Sequence, residues 1–425
     1  GDVAATVLSA IGSATSGTVT VTNAINVTGT ADEAIVALHD TNTKVEVSAA
    51  TVTLSDDPDL TELINLNAAT TGAIKINTRG KTYSGTAANL KLALAGTVTD
   101  GSNNALNGAM TISDGSGDVA ATVLSAIGSA TSGTVTVTNA INVTGTADEA
   151  IVALHDTNTK VEVSAATVTL SDDPDLTELI NLNAATTGAI KINTRGKTYS
   201  GTAANLALAL AGTVTDGSNN ALNGNITLSN GPTATQLQTI NNGTDGTIVV
   251  HNRGITLSST AAVLKEALAG TLQDGNGLGL NGTMTISDGG GDVAATVLSA
   301  IGSATSGTVT VTNAINVTGT ADEAIVALHD TNTKVEVSAA TVTLSDDPDL
   351  TELINLNAAT TGAIKINTRG KTYSGTAANL KLALAGTVTD GSNNALNGAI
   401  TLSDGGGSSI AATVLSAIGL SLIHI

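Results

Sequence analysis

Acidic residues are the side chains here whose type and spacing could do chemistry. Asp56, Asp57 and Asp59 crowd one S-D-D-P-D-L stretch, Asp114 and Asp118 bracket D-G-S-G-D, and Asp288 and Asp292 bracket D-G-G-G-D. Carboxylates this close are raw material for a calcium site, which needs six to eight oxygens. The same residues also cap helices and fill turns, which is their commoner use. No aspartate pair combines close spacing with apolar flanks that would raise one pKa for general acid–base work, so no catalytic residue is assigned and the chain is not expected to be an enzyme. No cofactor is expected beyond calcium. His39, His155 and His329 are one position of a repeated A-L-H-D-T-N-T-K, at a helix end where the dipole favours a cation. Arg79, Arg195, Arg253 and Arg369 recur after strands as a sparse row, suited to local ion pairing with Asp59 and Glu62 or to stabilising a corner.

The elements that must position these residues are set by a repeat. G-D-V-A-A-T-V-L-S-A-I-G-S-A-T-S-G-T-V-T-V-T-N-A-I-N-V-T-G begins at Gly1 and returns unchanged at Gly117 and Gly291. Those offsets, 116 and 174, are two and three times 58. The segment 233–290 is a diverged half-unit that matches the second half of the 116-residue block. The organisation is therefore blocks 1–116 and 117–232, a single module 233–290, a block 291–406 and a partial copy 407–419. Within each 58 the pattern halves again, near 29 residues.

Composition agrees with a thin, regular fold. Aromatic residues are 1% and charged residues 12%, yet hydrophobic residues reach 41%, which argues against a disordered chain. The apolar residues are mostly Ala, Val, Leu and Ile, which suit layered packing. A net charge of −20 excludes phosphate-backbone binding, which needs clustered Lys and Arg. No apolar run is long enough for a membrane helix. Residue 1 is Gly and the repeat starts at once, so the chain reads as part of a longer reading frame.

Strand signals are clean. T-V-T-V-T-N (18–23), V-E-V-S (45–48), T-V-T-L-S (51–55) and I-K-I-N (74–77) alternate with period 2. Helical pieces follow Gly29, Ser55, Gly85 and Ser113. Thr30 with Glu33 forms a capping box, Asp57 before Pro58 reads as N-cap and first helical residue, and Gly12 and Gly96 are expected to close their helices. Pieces of eight to ten residues persist only when packed on neighbours. The expected fold is an elongated β-rich solenoid with coils of about 29 residues, each strand, corner, strand and short helix, stacked into parallel sheets. One difficulty is that strands stack about 4.8 Å apart and helices about 8–10 Å apart. The alternative is tandem β/α domains of 58 residues.

T-E-L-I-N-L-N-A-A-T-T-G-A-I-K-I-N followed by S-G-T-A-A-N-L-K-L-A-L-A-G, with A-T-V-L-S-A-I-G-S-A-T-S-G-T-V-T-V-T-N, resembles the repeats of very large bacterial surface proteins of the marine cyanobacterial type, adhesins and S-layer-like coats among them. The resemblance covers nearly 1–420. It implies an extracellular or cell-surface structural and adhesive spacer whose partners are other repeats, neighbouring surface proteins or cell-surface glycans. S-D-G-G-G-D is also loosely similar to the G-G-x-G-x-D calcium repeat that accompanies such proteins. Competing readings are a calcium-, glycan- or ice-binding module on this scaffold, or a polysaccharide-acting enzyme on a β-solenoid. The last six residues, L-S-L-I-H-I (420–425), break the repeat, resemble translated sequencing adapter and are read as non-native.

Overall fold

The computed structural model describes residues 1–425 except 42–44, 48, 157–160, 164, 331–334, 338, 406–408 and 422–425. The last three or four residues of each H-D-T-N-T-K corner, the start of the 407–419 copy and most of the aberrant tail therefore lie outside the described residues.

Fifteen helices are described: α1 (Ala5–Ser13), α2 (Ala31–Leu38), α3 (Leu60–Ala69), α4 (Ala87–Ala93), α5 (Ala121–Ser129), α6 (Ala147–Leu154), α7 (Leu176–Ala185), α8 (Ala203–Ala209), α9 (Ala234–Asn242), α10 (Ala261–Ala267), α11 (Ala295–Ser303), α12 (Ala321–Leu328), α13 (Leu350–Ala359), α14 (Ala377–Ala383) and α15 (Ala412–Ser421). Each has seven to ten residues and so depends on tertiary packing. The sequence supplies local start signals. Thr30 caps α2 in a complete capping box with Glu33, and Asp59 does the same for α3 with Glu62. Pro58 thus lies outside α3, and the expected Asp57–Pro58 start is corrected to Asp59–Leu60. Gly12 is likewise inside α1 instead of ending it, and α4 ends at Ala93 before Gly96. The buried helix faces are mostly alanine and leucine: Ala31, Ala34 and Ala37 on α2, Ala87, Leu90 and Ala93 on α4.

The chain divides into two compact units, Gly1–Arg195 with Gly212–Ala221, and Gly196–Ala211 with Leu222–Ile425. In the first, successive helices from α1 to α7 pack on one another; in the second, α8 to α15 do. All strand ladders are parallel. One five-stranded sheet of the first unit runs Asp2–Ala4, Asn26–Gly29, Thr51–Leu54, Ile74–Ile76, Val98–Asp100. Its register aligns Val3, Val27, Val52, Ile74 and Val98 in one row, and Thr28, Thr53, Lys75 and Thr99 in the adjacent row. The first row is the apolar one, with Val27, Val52 and Ile74 fully buried; in the second, which points to the other face, those four residues are half-buried. A four-stranded sheet runs Tyr83–Gly85, Met110–Ile112, Val135–Val137, Val161–Glu162. The second unit repeats both kinds.

The fold is therefore a repeat of strand–helix units with parallel sheets, as expected, but the sheets are not continuous. They hold two to five strands and overlap in sequence, a new one opening at Tyr83 before the previous one closes at Asp100. The numbering of partners shows why. Hydrogen-bonded residues are 22 to 27 apart, whereas helices begin 26 to 35 residues apart. The ladder consequently slides past the helices. Thr51–Leu54 leads into α3, yet it pairs with Ile74–Ile76, which leaves α3. Strands about 4.8 Å apart and helices about 8–10 Å apart cannot advance together over many units, and short overlapping ladders are the outcome.

Candidate functional site

The seven candidate aspartates divide into three groups by what their carboxylates accept. Asp56 Oδ1 accepts the Ala31 N–H (2.9 Å), so it caps α2 from the following turn of chain. Asp172 does the same for Ala147 and Asp346 for Ala321. Asp114 accepts from Ala87 at the start of α4 (2.5 Å), and Asp288 from Ala261 at the start of α10 (2.6 Å). Asp57 Oδ1 accepts the Thr78 N–H (2.6 Å), and Asp59 is the N-cap of α3. Asp118 and Asp292 each accept from an asparagine one strand away, Asn142 and Asn316 (2.8 Å each). Those asparagines in turn accept from Thr169 and Thr343, which makes a polar chain across three strands. Asp56, Asp57 and Asp59, adjacent in sequence, serve three different backbone sites. Among the described residues, no three His, Cys, Asp or Glu side chains converge in a way that could hold a metal ion.

A second set of cross-turn contacts was not foreseen from the sequence. In T-T-G (70–72), Thr70 is buried, its hydroxyl donates to the Ala50 carbonyl (2.6 Å) and accepts the Gly72 N–H (3.0 Å). Thr131, Thr186, Thr244, Thr305 and Thr360 repeat the arrangement with carbonyls 20 to 23 residues earlier. The glycine is required by close approach: a Cβ at Gly72 or Gly133 would collide with the carbonyl of Ala50 or Gly108. The readable signal was the recurrence of T-x-G at 15, 70, 131, 186, 244, 305 and 360.

Three of the four arginines of the row hold a corner, as one of the sequence readings expected, while the Nε of Arg253 is buried without a hydrogen-bond partner. Nε of Arg79, Arg195 and Arg369 donates to the carbonyls of Ala105, Ala221 and Ala395 (2.7, 2.8 and 2.9 Å). Each holds a D-G-S-N-N loop against the strand before it. In that loop Asp100 accepts the N–H groups of Ser102 and Asn104 (2.9 and 2.8 Å) and the Asn104 side chain (2.9 Å), with Asn103 at φ 63°. The Asn104 hydrogen bonds, with help from Arg79, hold the Asp100 carboxyl below the ordinary aspartate range; Asp216 and Asp390 behave alike toward Asn220 and Asn394.

The most site-like feature grows from this corner. A recess of about 470 Å³ is lined by Arg369, Thr387, Thr389, Asn393 and Asn394. Thr389 is 7% exposed and its hydroxyl has no hydrogen-bond partner. The equivalent hydroxyls of Thr99 and Thr215 are unpartnered too. The Thr389 hydroxyl is closed off from solvent, Arg369 Nε is held by the Ala395 carbonyl and the Asn394 amide by Asp390, so the remaining guanidinium N–H groups and the Asn393 side chain are what the recess offers to a carboxylate- or hydroxyl-bearing ligand. His39, His155 and His329 sit at helix C-caps, as their position in the repeat predicted.

No protein-family model matches the chain, and no curated protein matches it. No helix among the described residues is long and apolar enough to cross a membrane.

Proposed function

We propose that this chain is a structural and adhesive spacer of a bacterial cell surface, a rod in which coils of about 29 residues succeed one another. The carrying observation is where the polar side chains go. Asp56, Asp114, Asn142 and Thr70, with their repeats, bond one turn of chain to the next. Side chains that would otherwise be available for a ligand are thereby used for cohesion. Repetition of near-identical blocks adds length while reusing the same kinds of contact between turns, which is what a spacer requires. Imaging the purified chain by electron microscopy tests this: rods support the reading, and compact globules remove it.

A second reading is favoured by the Arg369 recess. Recurring recesses of this kind would give many weak sites for acidic or hydroxyl-rich surface glycans, and their number would raise avidity. Titrating uronic-acid oligosaccharides into the isotopically labelled chain, with an R369A control, tests it. Shifts at Thr389 and Asn394 that vanish in the variant support glycan contact; no shifts at millimolar sugar remove it. Calcium, the other ligand considered, is tested by comparing melting in calcium with melting in chelator. Because Asp56, Asp57, Asp59 and Asp114 already accept backbone N–H groups, equal melting temperatures are expected.

A further inference from the structure

The diverged module departs from the others at the corner of Arg253. The loop D-G-S-N-N-A-L (100–106, 216–222 and 390–396) is replaced there by D-G-N-G-L-G-L (274–280). Gly277 stands for Asn103 and keeps the left-handed turn, at φ 77° against 63°. Leu278 stands for Asn104, whose side chain bonds Asp100, and Gly279 stands for Ala105. Asp274 still accepts the N–H groups of Asn276 and Leu278 (2.9 Å each), so the turn survives. The latch does not. Antiparallel bridges join Thr99 to Ala105, Thr215 to Ala221 and Thr389 to Ala395, and among the described residues none joins Gln273 to Gly279. Arg79, Arg195 and Arg369 give Nε to those alanine carbonyls, whereas Arg253 Nε has no acceptor.

A recess of about 480 Å³ opens at this corner, between Arg253, Gly279 and the S-A-T-S stretch 303–306. That volume is in the range of small-molecule sites. The S-A-T-S wall repeats 129–132 letter for letter, so the wall is common to the corners of Arg79 and Arg253 and the loop is not. Ser303 Oγ donates to the Ser299 and Ala300 carbonyls (2.9 and 3.1 Å), and Ser306 Oγ to the Leu280 carbonyl (3.4 Å). Both hydroxyls keep lone pairs with which to accept. Thr305 is committed on both sides, donating to the Gly282 carbonyl and accepting from the Gly307 N–H. One carboxylate, Asp274, already senses the Arg253 charge, which helps hold it below the ordinary aspartate range.

We propose that this recess binds a sugar acid, the Arg253 guanidinium taking the carboxylate and the Ser303 and Ser306 hydroxyls accepting from hydroxyls of the ring. Arg253 is half-buried and its Nε is closed off from solvent, so an arriving carboxylate meets the terminal N–H groups first. Because Nε bonds nothing, the side chain turns without breaking a hydrogen bond there. Turning brings Nε and one terminal nitrogen onto the two carboxylate oxygens as a fork. A buried donor without a partner costs free energy, and the ligand supplies its acceptor. Arg79, Arg195 and Arg369 gain nothing of this kind, since their Nε is already satisfied. The serine acceptors select a hydroxylated acid over a bare one such as acetate. The site lies at a different corner from the Arg369 recess and rests on neither reading of the chain's role.

Titration of glucuronate into the isotopically labelled full chain tests this. H-N-R-G and L-Q-D each occur once, so the amides of Asn252, Gly254 and Gln273 report this corner alone. Their signals should shift saturably at millimolar glucuronate, and at least tenfold more weakly with glucose or acetate. A tri-uronate that binds more tightly than glucuronate identifies a polysaccharide as the source of the ligand, and equal binding identifies the free acid. R253A, with folding verified by circular dichroism, should weaken binding at least tenfold, and R369A should leave it unchanged. N276S/G277N/L278N/G279A keeps Arg253 but restores the latching loop that folds elsewhere in the chain, and it should weaken binding as R253A does. An absence of shifts at tens of millimolar glucuronate would overturn the proposal. So would a folded R253A chain or a loop-restored chain that binds like wild type, or glucose binding as tightly as glucuronate.

Discussion

Asp56 and Asp59 lie three residues apart and serve different helices, Asp56 capping α2 and Asp59 capping α3. Substituting Asp56 by Ala removes an acceptor from the Ala31 N–H and should cost about 1 kcal/mol, read as a lower denaturant midpoint; Asp56→Asn, which keeps an acceptor oxygen, should cost less. Tyr83 and Tyr373 supply a pH test. Burial, then Asp57, Asp59 and Glu62, push the Tyr83 hydroxyl well above the tyrosine range; burial with Asp347, Glu352 and Asp349 does so for Tyr373. A raised folded value means the stability these phenols carry is complete below pH ~10, the unfolded tyrosine value, and is lost as pH climbs toward the folded one. Tyrosinate absorbance should therefore appear together with loss of helical circular dichroism above about pH 10. Tyrosinate forming in a still fully folded chain would contradict the burial argument.

A strand–helix unit is held to its neighbours by glycine as much as by apolar side chains. Gly133 and Gly17 are the same position of the same 29-residue stretch, and only Gly133 has the backbone of an earlier turn against it. Gly133→Ala should therefore destabilise by about 1–3 kcal/mol, an overpacking cost. Gly17→Ala should leave the melting temperature of the monomer nearly unchanged. The comparison isolates tertiary approach from local propensity, because the flanking residues are identical. Short helices obey the same logic. An α4 of seven residues exists because Thr86 caps it, Asp114 accepts from its first N–H and Leu90 is fully buried.

At the scale of the whole molecule, modularity has a direct consequence. Removing residues 117–290 joins Ser116 to Gly291, and this recreates the Ser116–Gly117 junction and the sequence after it. Every pairing across the new junction then has an internal precedent, such as Met110 with Val135. The shortened chain should fold, with a circular dichroism spectrum per residue equal to that of the parent. A molten or aggregated product would show that the units are not interchangeable. Net stability should change less than in proportion to length if unfolding is not cooperative over all units.

Much of this was legible in one dimension. The block offsets, the period-2 strands and the Thr30–Glu33 box are local patterns, and local patterns are fixed by backbone sterics and hydrogen bonding. The T-x-G recurrence was visible as well, but its use was not, since Thr70 bonds a carbonyl 20 residues away. The same limit applied to Asp56 and Asp57: neighbours in sequence gave no sign that one caps an earlier helix and the other meets a later loop. The unpaired Thr389 hydroxyl beneath Arg369 is a property of burial alone. By itself, then, the sequence determined the unit, its parallel strand–helix character and its repetition. Tertiary structure decided the register, because strands and helices stack at different spacings and the ladder must slip past the helices.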